Sequence, residues 1–488
     1  MRQVLRRTLP TLAVGMLLAG CSTTTVVGTA SPGAGEPVDV SADEFPITGA
    51  VDGDIDQFAR NALADIDTFW TQAYPDFFGE EYQPLQGGYF SVDSDNIDAS
   101  AYPQTGIGCA GDPIPPDAVA GNAFFYGGCD LIAYDRALIE ELSNDYGRFL
   151  GPVVMAHEIG HAIQFRFDGL DAAQIIVETQ ADCLAGAWTR WVADGNAEHV
   201  SIRVPELDDV IRGVLVLRDP VGSDPNDDSA HGSYFDRVSG FYAGFDGGVA
   251  SCRDSFGEDR LFTAESFDPE EYDNEGNAPY ADIVGWITQT LPAFYDSFFP
   301  AAFGSEFQAP TVQAFDTTAP QCGDMGSQDR DLGYCESDST VYYDETELTQ
   351  PAYEIGDFAV SGIISQQYSF VAQTLLGNLE SDKNSLLQAD CFSGAWAGEL
   401  TLATLQQGGQ ELLDETFGPV SISAGDLDEA VQSFLLLGDQ PSANEDQGTP
   451  FERVAAFRDG FLNGLPQCAT YLEDGAPGED AGVPSDGS

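Results

Sequence analysis

The stretch VVMAHEIGHAIQF, residues Val153 to Phe165, combines an apolar run with three ionisable side chains. Its apolar residues predict a buried helix that begins near residue 151 or 152 and ends before Asp168. On that helix His157 and His161 lie four positions apart, so both imidazole rings project from one face. We therefore expect this stretch to contribute both to the core of the fold and to a polar site.

The two histidines have the spacing of a zinc site. Imidazole nitrogens four residues apart on a helix can bind one zinc ion. Glu158 lies beside the first histidine, where its carboxylate can act as the general base that takes a proton from zinc-bound water. His157, His161 and Glu158 are accordingly the first candidates for a catalytic centre with one zinc ion per chain.

A second helix, predicted from about Ala172 to Val192, carries two carboxylates on one face. Glu178 and Asp182 are again four residues apart. We expect Glu178 to be the third zinc ligand, which leaves a fourth position open for water, as in catalytic zinc sites. Asp182 is expected to hydrogen-bond a ligand histidine, His157, and to fix its tautomer.

An HExxH pentapeptide alone is a weak signal, but the chain contains its own comparison. The segment QADCLAGAW, Gln180 to Trp188, recurs as QADCFSGAW, Gln388 to Trp396. Further similar segments occur in the same order in both halves, which predicts a duplicated domain of roughly 210 to 220 residues. The offset of 208 positions aligns the candidate ligands and base with residues that bind no zinc: His157 with Ser365, Glu158 with Gln366, His161 with Ser369, and Glu178 with Leu386.

We expect an α+β fold of two tandem zincin-like domains, mainly helical with short strands near GGYFSVD and CDLIAYD, in which the second domain is a copy without metal. The predicted boundaries are residues 1–20 for a signal peptide, 21–54 for a flexible tether, 55–270 and 280–470 for the two domains, and 471–488 for a disordered acidic tail.

These segments resemble two known groups of enzymes. HExxH followed by ExxxD is similar to the gluzincin arrangement of thermolysin-like peptidases. AHEIGHAIQ, ETQADCLAGAW and HGSYFDRVSGFYAGF more closely resemble the bacterial neutral zinc metallopeptidase family, and the resemblance covers about residues 55 to 265. It departs from the family pattern mildly, at Ala162, Thr179 and Asp236, and at none of the proposed ligands. The resemblance implies peptidase chemistry more firmly than it implies a substrate.

His231 has two interpretations. It can stabilise the oxyanion that forms when water attacks an amide, or it can cap the helix that contains Arg237 and Phe241. His199 lies in a loop-like segment and is expected to be exposed. The acidic segment from Asp219 to His231 lacks the spacing of a defined calcium loop, so a solvated loop is expected there.

Nine cysteines divide into one near the N-terminus and four in each half. LLAGC resembles the lipobox of bacterial lipoprotein signal peptides, which implies cleavage before Cys21 and lipid attachment to its sulfur. The other eight favour disulfides in an exported chain. Because one pairing must serve both halves, we expect Cys109–Cys129, Cys183–Cys252, Cys322–Cys335 and Cys391–Cys468, although each half formally allows three connectivities.

The charge of the chain limits its partners. It has 81 acidic and 18 basic residues, a net charge of -63, which argues against nucleic acid and anionic lipid as partners.

Together, the HEIGH motif, the family resemblance and the LLAGC segment predict a lipid-anchored, extracytoplasmic zinc endopeptidase that acts on peptides or proteins. The alternative is a zinc-binding envelope lipoprotein that serves as a binding or scaffold module without cleaving anything. The substrate and the oligomeric state stay open.

Overall fold

The structure of the protein is a computed structural model. It describes residues 37–472 except 110, 112, 168–170, 228–229, 258–259, 323–325, 327–329, 379–381, 406–416, 418–421 and 439–447. The predicted signal peptide, Cys21, the first part of the tether and nearly all of the acidic tail lie outside the described residues. Within the described part of the chain, no helix combines the length and the apolar character that crossing a bilayer requires.

The first half contains six helices of ten or more residues and four short strands among its described residues, so the predicted α+β class is confirmed. The helices are α1 (Asp54–Phe78), α2 (Arg136–Tyr146), α3 (Leu150–Arg166), α4 (Gln174–Ala193), α5 (Val204–Val214) and α6 (Tyr234–Asp254). The strands are β1 (Ile47–Thr48), β2 (Gly88–Val92), β3 (Ala123–Tyr126) and β4 (Leu131–Asp135). The strands β2 and β4 fall where GGYFSVD and CDLIAYD predict them.

The second half has a similar order of elements. Its longer helices are α7 (Tyr280–Phe303), α8 (Asp357–Leu376), α9 (Lys383–Leu405), α10 (Asp426–Gly438) and α11 (Pro450–Asn463). Its strands are β5 (Thr311–Phe315), β6 (Leu332–Cys335) and β7 (Thr340–Asp344). Single helical turns at Gln350–Tyr353 and Leu465–Cys468 precede α8 and follow α11.

The two sheets share one pairing pattern. In the first, β2 runs parallel to β4 and β3 runs antiparallel to it, in the order β1-β2-β4-β3. In the second, β5 is parallel and β6 antiparallel to β7. The last residue of each central strand then starts a helical segment, because Asp135 accepts the N–H of Ala137 at 3.0 Å and Asp344 accepts that of Thr346 at 2.9 Å.

The helices α4 and α6 cross at backbone contact, and so do α9 and α11. A Cβ atom added at Gly186 would lie 2.0 Å from the carbonyl oxygen of Phe241, and one at Gly394 would lie 1.8 Å from that of Phe457. Such a distance excludes any side chain at either glycine. The close crossing brings the polar residues of α4 within reach of α6.

All four predicted disulfides are confirmed. They are Cys109–Cys129, Cys183–Cys252, Cys322–Cys335 and Cys391–Cys468. Cys183–Cys252 joins α4 to α6, and Cys391–Cys468 joins α9 to the helical turn after α11. Each of these two disulfides therefore fastens a helix pair that also meets through glycine.

The two halves share their hydrophobic core. One cluster of buried residues extends from Ile47 in β1 to Tyr471 beyond α11. Within it, Phe149 stacks on Trp188 with ring centroids 5.6 Å apart, and Phe358 stacks on Trp396 at 5.3 Å. The pair of stacked rings lies beside the same helix crossing in each half. The halves are thus similar in detail and packed against each other.

Candidate metal centre

The helix α3 is buried along most of its length and carries the HEIGH residues close to the predicted position. Its approach to α4 is close at Gly160, where an added Cβ would lie 3.2 Å from Cα of Ala181. The buried face of α4 presents Glu178 and Asp182 to α3. Two buried helices in close contact therefore hold the predicted side chains opposite each other.

Three predicted ligand atoms meet at one point. Nε2 of His157 lies 3.1 Å from Nε2 of His161 and 3.2 Å from Oε2 of Glu178. Nε2 of His161 lies 3.5 Å from the same Oε2. A tetrahedral ion with bonds of about 2.0 to 2.2 Å needs ligand atoms about 3.3 to 3.6 Å apart. The three atoms thus have nearly the spacing of one face of a zinc tetrahedron.

The tautomers of both histidines also favour a cation. Nδ1 of His157 lies 2.8 Å from Oδ1 of Asp182, and Nδ1 of His161 lies 2.8 Å from Oε1 of Gln164. Both partners are acceptors in these contacts, so each Nδ1 carries the proton. When both rings are neutral, the lone pairs of the two Nε2 atoms face each other 3.1 Å apart, an arrangement that a metal ion between them stabilises.

Asp182 is itself held by an arginine from α6. Nε and Nη2 of Arg237 donate to the two carboxylate oxygens of Asp182 at 2.9 and 2.8 Å. Although burial acts in the opposite direction, Arg237 and His157 lower the pKa of Asp182 to about 2. Asp182 therefore stays ionised, and it fixes the orientation of the His157 ring as predicted.

Two glutamines that sequence reasoning missed complete the hydrogen bonds. The Gln164 amide accepts from His161 and donates through Nε2 to the carbonyl oxygen of Val177 at 2.8 Å. Gln174 donates to Oε1 of Glu178 at 2.6 Å, which leaves Oε2 facing the histidines. The only available signal was position: Gln164 follows His161 by three residues, and Gln174 precedes Glu178 by four, so each pair shares a helix face.

The charges of the three ligand residues reinforce one another. Burial lowers the pKa of His157, but the carboxylates of Asp182 and Glu178 outweigh it and raise the pKa to about 10. Burial alone would raise the pKa of Glu178, but hydrogen bonds from His157 and His161 lower it far below its usual range. The cluster therefore holds a positive charge next to Glu178, either a proton or a metal ion.

Glu158 lies on the same helix beside the face that carries the two candidate ligands. Burial raises the pKa of its carboxyl above the usual value. Oε2 accepts the backbone N–H of Phe125 in strand β3 at 2.8 Å. A buried carboxylate with a raised pKa is a stronger base than an exposed one.

A cavity of about 620 Å³ opens in front of this cluster. His157, Glu158, His161 and Glu178 line it together with apolar side chains, among them Phe125, Phe165, Val153 and Val177. A cavity of this size, with apolar walls and a few polar groups at one point, has the features of a substrate site.

His231 lies at the exposed edge of this cavity, three residues before α6. Its side chain is 49% exposed, and Nδ1 lies 3.2 Å from Oδ1 of Asp219. The other oxygen of Asp219 accepts the backbone N–H groups of His231 and Gly232 at 2.6 and 2.9 Å. The structure thus brings His231 to the site without burying it, and its catalytic role remains a prediction.

Two smaller predictions need correction or stay open. His199 is half-buried rather than exposed, because its Nδ1 donates to the carbonyl oxygen of Val38 at 2.6 Å. In the acidic segment 219–231, residues 228–229 lie outside the described residues. Among the described residues, two groups have the spacing to hold a metal ion, and neither includes this segment.

The second of these groups lies in the second half, for which the sequence predicts no metal. Asp357, Asp426 and Glu429 bring one carboxylate oxygen each within 4.8 Å of one another. Sequence comparison missed the group because its residues come from two helix starts far apart in the chain. None of them aligns with a residue of the HEIGH cluster.

The second half otherwise repeats the hydrogen bonds that support the candidate metal centre, without the candidate ligands. Nε and Nη2 of Arg453 donate to Asp390 at 2.8 and 3.0 Å, as the arginine of α6 does to Asp182. Nε2 of Gln366 donates to Oδ1 of Asp390 at 2.6 Å, in the manner of His157 toward Asp182. An amide thus takes the place of the imidazole.

These contacts correct the predicted alignment by one residue on α8. Nε2 of Gln373 donates to the carbonyl oxygen of Ser385 at 2.6 Å, as Gln164 does to Val177. Gln164 and Gln373 differ by 209 in residue number, whereas their acceptors, Val177 and Ser385, differ by 208. The difference arises because the connection from α8 to α9 is one residue shorter than the connection from α3 to α4. The counterparts are therefore Gln366 for His157, Gln367 for Glu158 and Phe370 for His161.

The relatives found in comparisons with known proteins cover part of the chain. Over 228 residues it is 26% identical to the uncharacterised protein YpfJ of Escherichia coli strain K12, which corresponds to 40% of this chain and 74% of YpfJ. Over 180 residues it is 28% identical to the uncharacterised protein Rv2575 of Mycobacterium tuberculosis strain ATCC 25618 / H37Rv, which corresponds to 31% of this chain and 59% of that protein. No protein-family profile and no solved structure matches the chain. Function must therefore be inferred from the site itself.

Proposed function

We propose that the chain is a zinc-dependent endopeptidase whose metal ligands are His157, His161 and Glu178. The observation that carries the proposal is the spacing of the three ligand atoms, 3.1 to 3.5 Å, with Glu158 beside them at the wall of a cavity. When bound, zinc supplies a Lewis acid that polarises a carbonyl group and lowers the pKa of water. Two histidines and a glutamate leave room for such chemistry at the fourth position.

The residues around the ligands prepare them for this task. Asp182 holds the proton of His157 on Nδ1, and Gln164 does the same for His161. Both Nε2 atoms are thereby available for the metal. Arg237 keeps Asp182 ionised and in place, so the orientation of His157 depends on a buried pair from a different helix.

Glu158 is the proposed general base. It takes a proton from the attacking water and passes it to the nitrogen of the departing amine, which balances the hydrolysis of an amide. The N–H of Phe125 holds one carboxylate oxygen and leaves the other free for this transfer. His231, at the rim of the cavity, is the proposed donor to the oxyanion.

A peptide is the class of substrate that fits the cavity wall. Strand β3 is an edge strand of its sheet, and it pairs on one side with β4. The N–H of Phe125 points away from β4, toward Glu158 and the cavity. An extended peptide can lie along this outer side of β3, across the site, while the N–H of Phe125 stays bound to Glu158.

We also propose that the second half is a duplicated zincin-like domain that has lost its zinc ligands. Its equivalent helices retain the Arg453–Asp390 pair and the stacked rings, with Gln366 in place of a ligand. Lipid attachment at Cys21 on the extracytoplasmic side of the membrane belongs to the same proposal and rests on the LLAGC segment and the exported type of cysteine usage.

The function is tested by cleavage of a peptide library with the zinc-loaded chain. We expect one zinc per chain, cleavage at internal bonds, loss of cleavage on chelation and recovery on return of zinc. A folded chain that takes up one zinc and cleaves no library peptide or unfolded protein would favour the non-catalytic envelope lipoprotein. A chain that takes up no zinc would overturn both proposals.

A further inference from the structure

A second group of ionisable residues lies in the other half of the molecule. Asp357 begins α8, and Asp426 and Glu429 lie in the first turn of α10. The three residues are only 6%, 4% and 7% exposed, and one oxygen from each lies within 4.8 Å of the others. Three carboxylates so close together and so deeply buried repel one another unless a positive charge joins them.

The structure provides no such charge among the described residues. Arg218 acts on Glu429 from a distance, but it is ion-paired with the neighbouring Asp428. Oδ2 of Asp357 accepts the N–H of Ala278 at 2.7 Å, whereas Oδ1 is buried and meets the geometric criteria for a hydrogen bond with none of the described residues. A buried carboxylate oxygen that lacks a donor, within a cluster of carboxylates, is suited to bind a cation.

Backbone contacts hold the other two carboxylates in place. Oε2 of Glu429 accepts the N–H of Phe358 at 2.9 Å, and Oδ2 of Asp426 accepts the N–H of Ser423 at 2.9 Å. At Gly356, an added Cβ would lie within 2.1 Å of the Glu429 carboxyl group, so any larger residue would displace it. The three acids are thus fixed by the chain around them before any ligand arrives.

We propose that Asp357, Asp426 and Glu429 bind a calcium ion. All the protein donors are carboxylate oxygens, which hard divalent cations prefer, and there is no imidazole or thiolate in the group to favour zinc. Calcium accepts irregular arrangements of oxygen ligands, whereas magnesium requires a near-ideal octahedron. The site is separate from the HEIGH cluster and does not depend on the proposed peptidase activity.

The ion would fasten the junction between the two halves. Ala278, whose N–H binds Asp357, lies in the segment that leads from the first half into α7. On α10, Asp428 accepts the N–H groups of Tyr234 and Phe235 at 3.2 and 2.9 Å and so caps α6. Fixing the start of α10 therefore also fixes the start of the helix that carries Arg237.

The alternative is that the three acids keep protons instead. Burial raises the pKa of Asp357 to about 6 and, with repulsion from Asp357, that of Glu429 to about 8. A proton-sharing cluster and a calcium site both tolerate the burial. They differ in whether calcium binds and in what neutral variants do.

The test is a calorimetric calcium titration of the full chain loaded with one equivalent of zinc. A salt concentration of about 0.15 M limits binding to the acidic surface, because screening acts there over about 8 Å. We expect one saturable calcium per chain. At 100 times the dissociation constant, calcium should raise the unfolding midpoint by about 3 °C.

Variants separate the site from the surface. Glu429→Gln should lower the calcium affinity at least tenfold and cut the rise in midpoint to about half or less, while the calcium-free midpoint does not fall because one repelling charge is gone. Asp426→Asn serves the same purpose if Glu429→Gln does not fold. Asp208→Asn, another carboxylate bound to a backbone N–H, is the control and should keep the full calcium response. Absence of saturable binding, tighter binding of magnesium than of calcium, or an unchanged response in Glu429→Gln and Asp426→Asn would overturn the proposal.

Discussion

Each half of the molecule holds an equivalent buried arginine–aspartate pair among three helices. These helices are α3, α4 and α6 in the first half and α8, α9 and α11 in the second. Around Asp182 that pair supports a histidine whose other nitrogen faces a second histidine and a glutamate. Around Asp390 it supports Gln366, and among the described residues neither of the two groups with metal-ligand spacing includes Asp390 or Gln366. The support of a metal centre can thus serve the fold alone, because a buried ion pair with satisfied hydrogen bonds is costly to remove even where nothing depends on it.

The comparison predicts that equivalent substitutions have very different effects on activity. His157→Ala removes a ligand, so zinc and peptide cleavage should both be lost, the latter by a factor of about 10⁴ or more. Gln366→Ala, the matched control in the second half, should leave zinc content and cleavage unchanged. Zinc analysis and initial rates on the same samples check this. An active His157→Ala variant would contradict the ligand assignment.

Zinc ligands can also be built into the second half to remove the difference between the two halves. Gln366→His, Gln367→Glu, Phe370→His and Leu386→Glu together reproduce the first half at the corrected alignment. Zinc content should rise from one to two ions per chain, because Asp390 is already placed to orient the new imidazole. The control variant uses the uncorrected alignment, with histidines at Ser365 and Ser369 and glutamates at Gln366 and Leu386. It should stay at one zinc, and a second zinc in it would refute the one-residue shift.

The paired aspartates should separate binding from stability. Asp182→Asn and Asp390→Asn each weaken a buried pair, and we expect each to lower the free energy of unfolding by about 3 kcal/mol. Only Asp182→Asn should also weaken zinc binding, by about 10- to 100-fold. Chemical denaturation and competition with a chelator measure the two effects. Equal zinc affinity in both variants would show that Asp182 does not support the ligand.

A smaller effect concerns the contact between the halves. Oδ1 of Asp208 in α5 accepts the N–H of Phe451 at the start of α11 at 2.9 Å, and burial raises the pKa of Asp208 to about 6. Because the pKa of Asp208 is higher in the folded state than the unfolded value of 3.8, protonated Asp208 adds to the free energy of unfolding. This contribution is complete below pH 3.8 and is lost as pH rises through 6. Asp208→Asn keeps the acceptor and removes the titration. It should therefore be more stable than the wild type at pH 7.5, by about 1 to 2 kcal/mol, and this advantage should vanish near pH 4. Unfolding free energies at several pH values test this, and a constant difference would contradict it.

Local features of the sequence were enough to predict the helices of the site. The apolar run before His157 and the spacing of Glu178 and Asp182 predicted the bounds of α3 and α4 to within about two residues. This was possible because the pattern of apolar residues within a short segment indicates both burial and helical periodicity. The disulfides followed from the repetition of four cysteines in each half. The contacts that orient the ligands were harder to foresee, since Gln164 and Gln174 are ordinary helix residues until a partner is placed beside them.

Contacts between segments that are far apart in the chain could not be predicted from the sequence. The Asp357, Asp426 and Glu429 group forms because two helix starts meet, and nothing in either segment indicates the other. The alignment error on α8 arose because a connection that is one residue shorter leaves the flanking helices similar but shifts their pairing. Hydrogen bonds to Asp390 and Ser385 reveal that shift, whereas matching letters do not.

The most direct test of the proposed centre is to measure zinc content and cleavage rate on the same preparation of Glu158→Gln. The glutamine side chain retains an oxygen for the N–H of Phe125 and removes the proton acceptor. We predict a full zinc ion per chain and a cleavage rate at least about 10² times lower than that of the wild type. Full zinc content with an unchanged rate would contradict the role of Glu158 and, with it, the proposed mechanism.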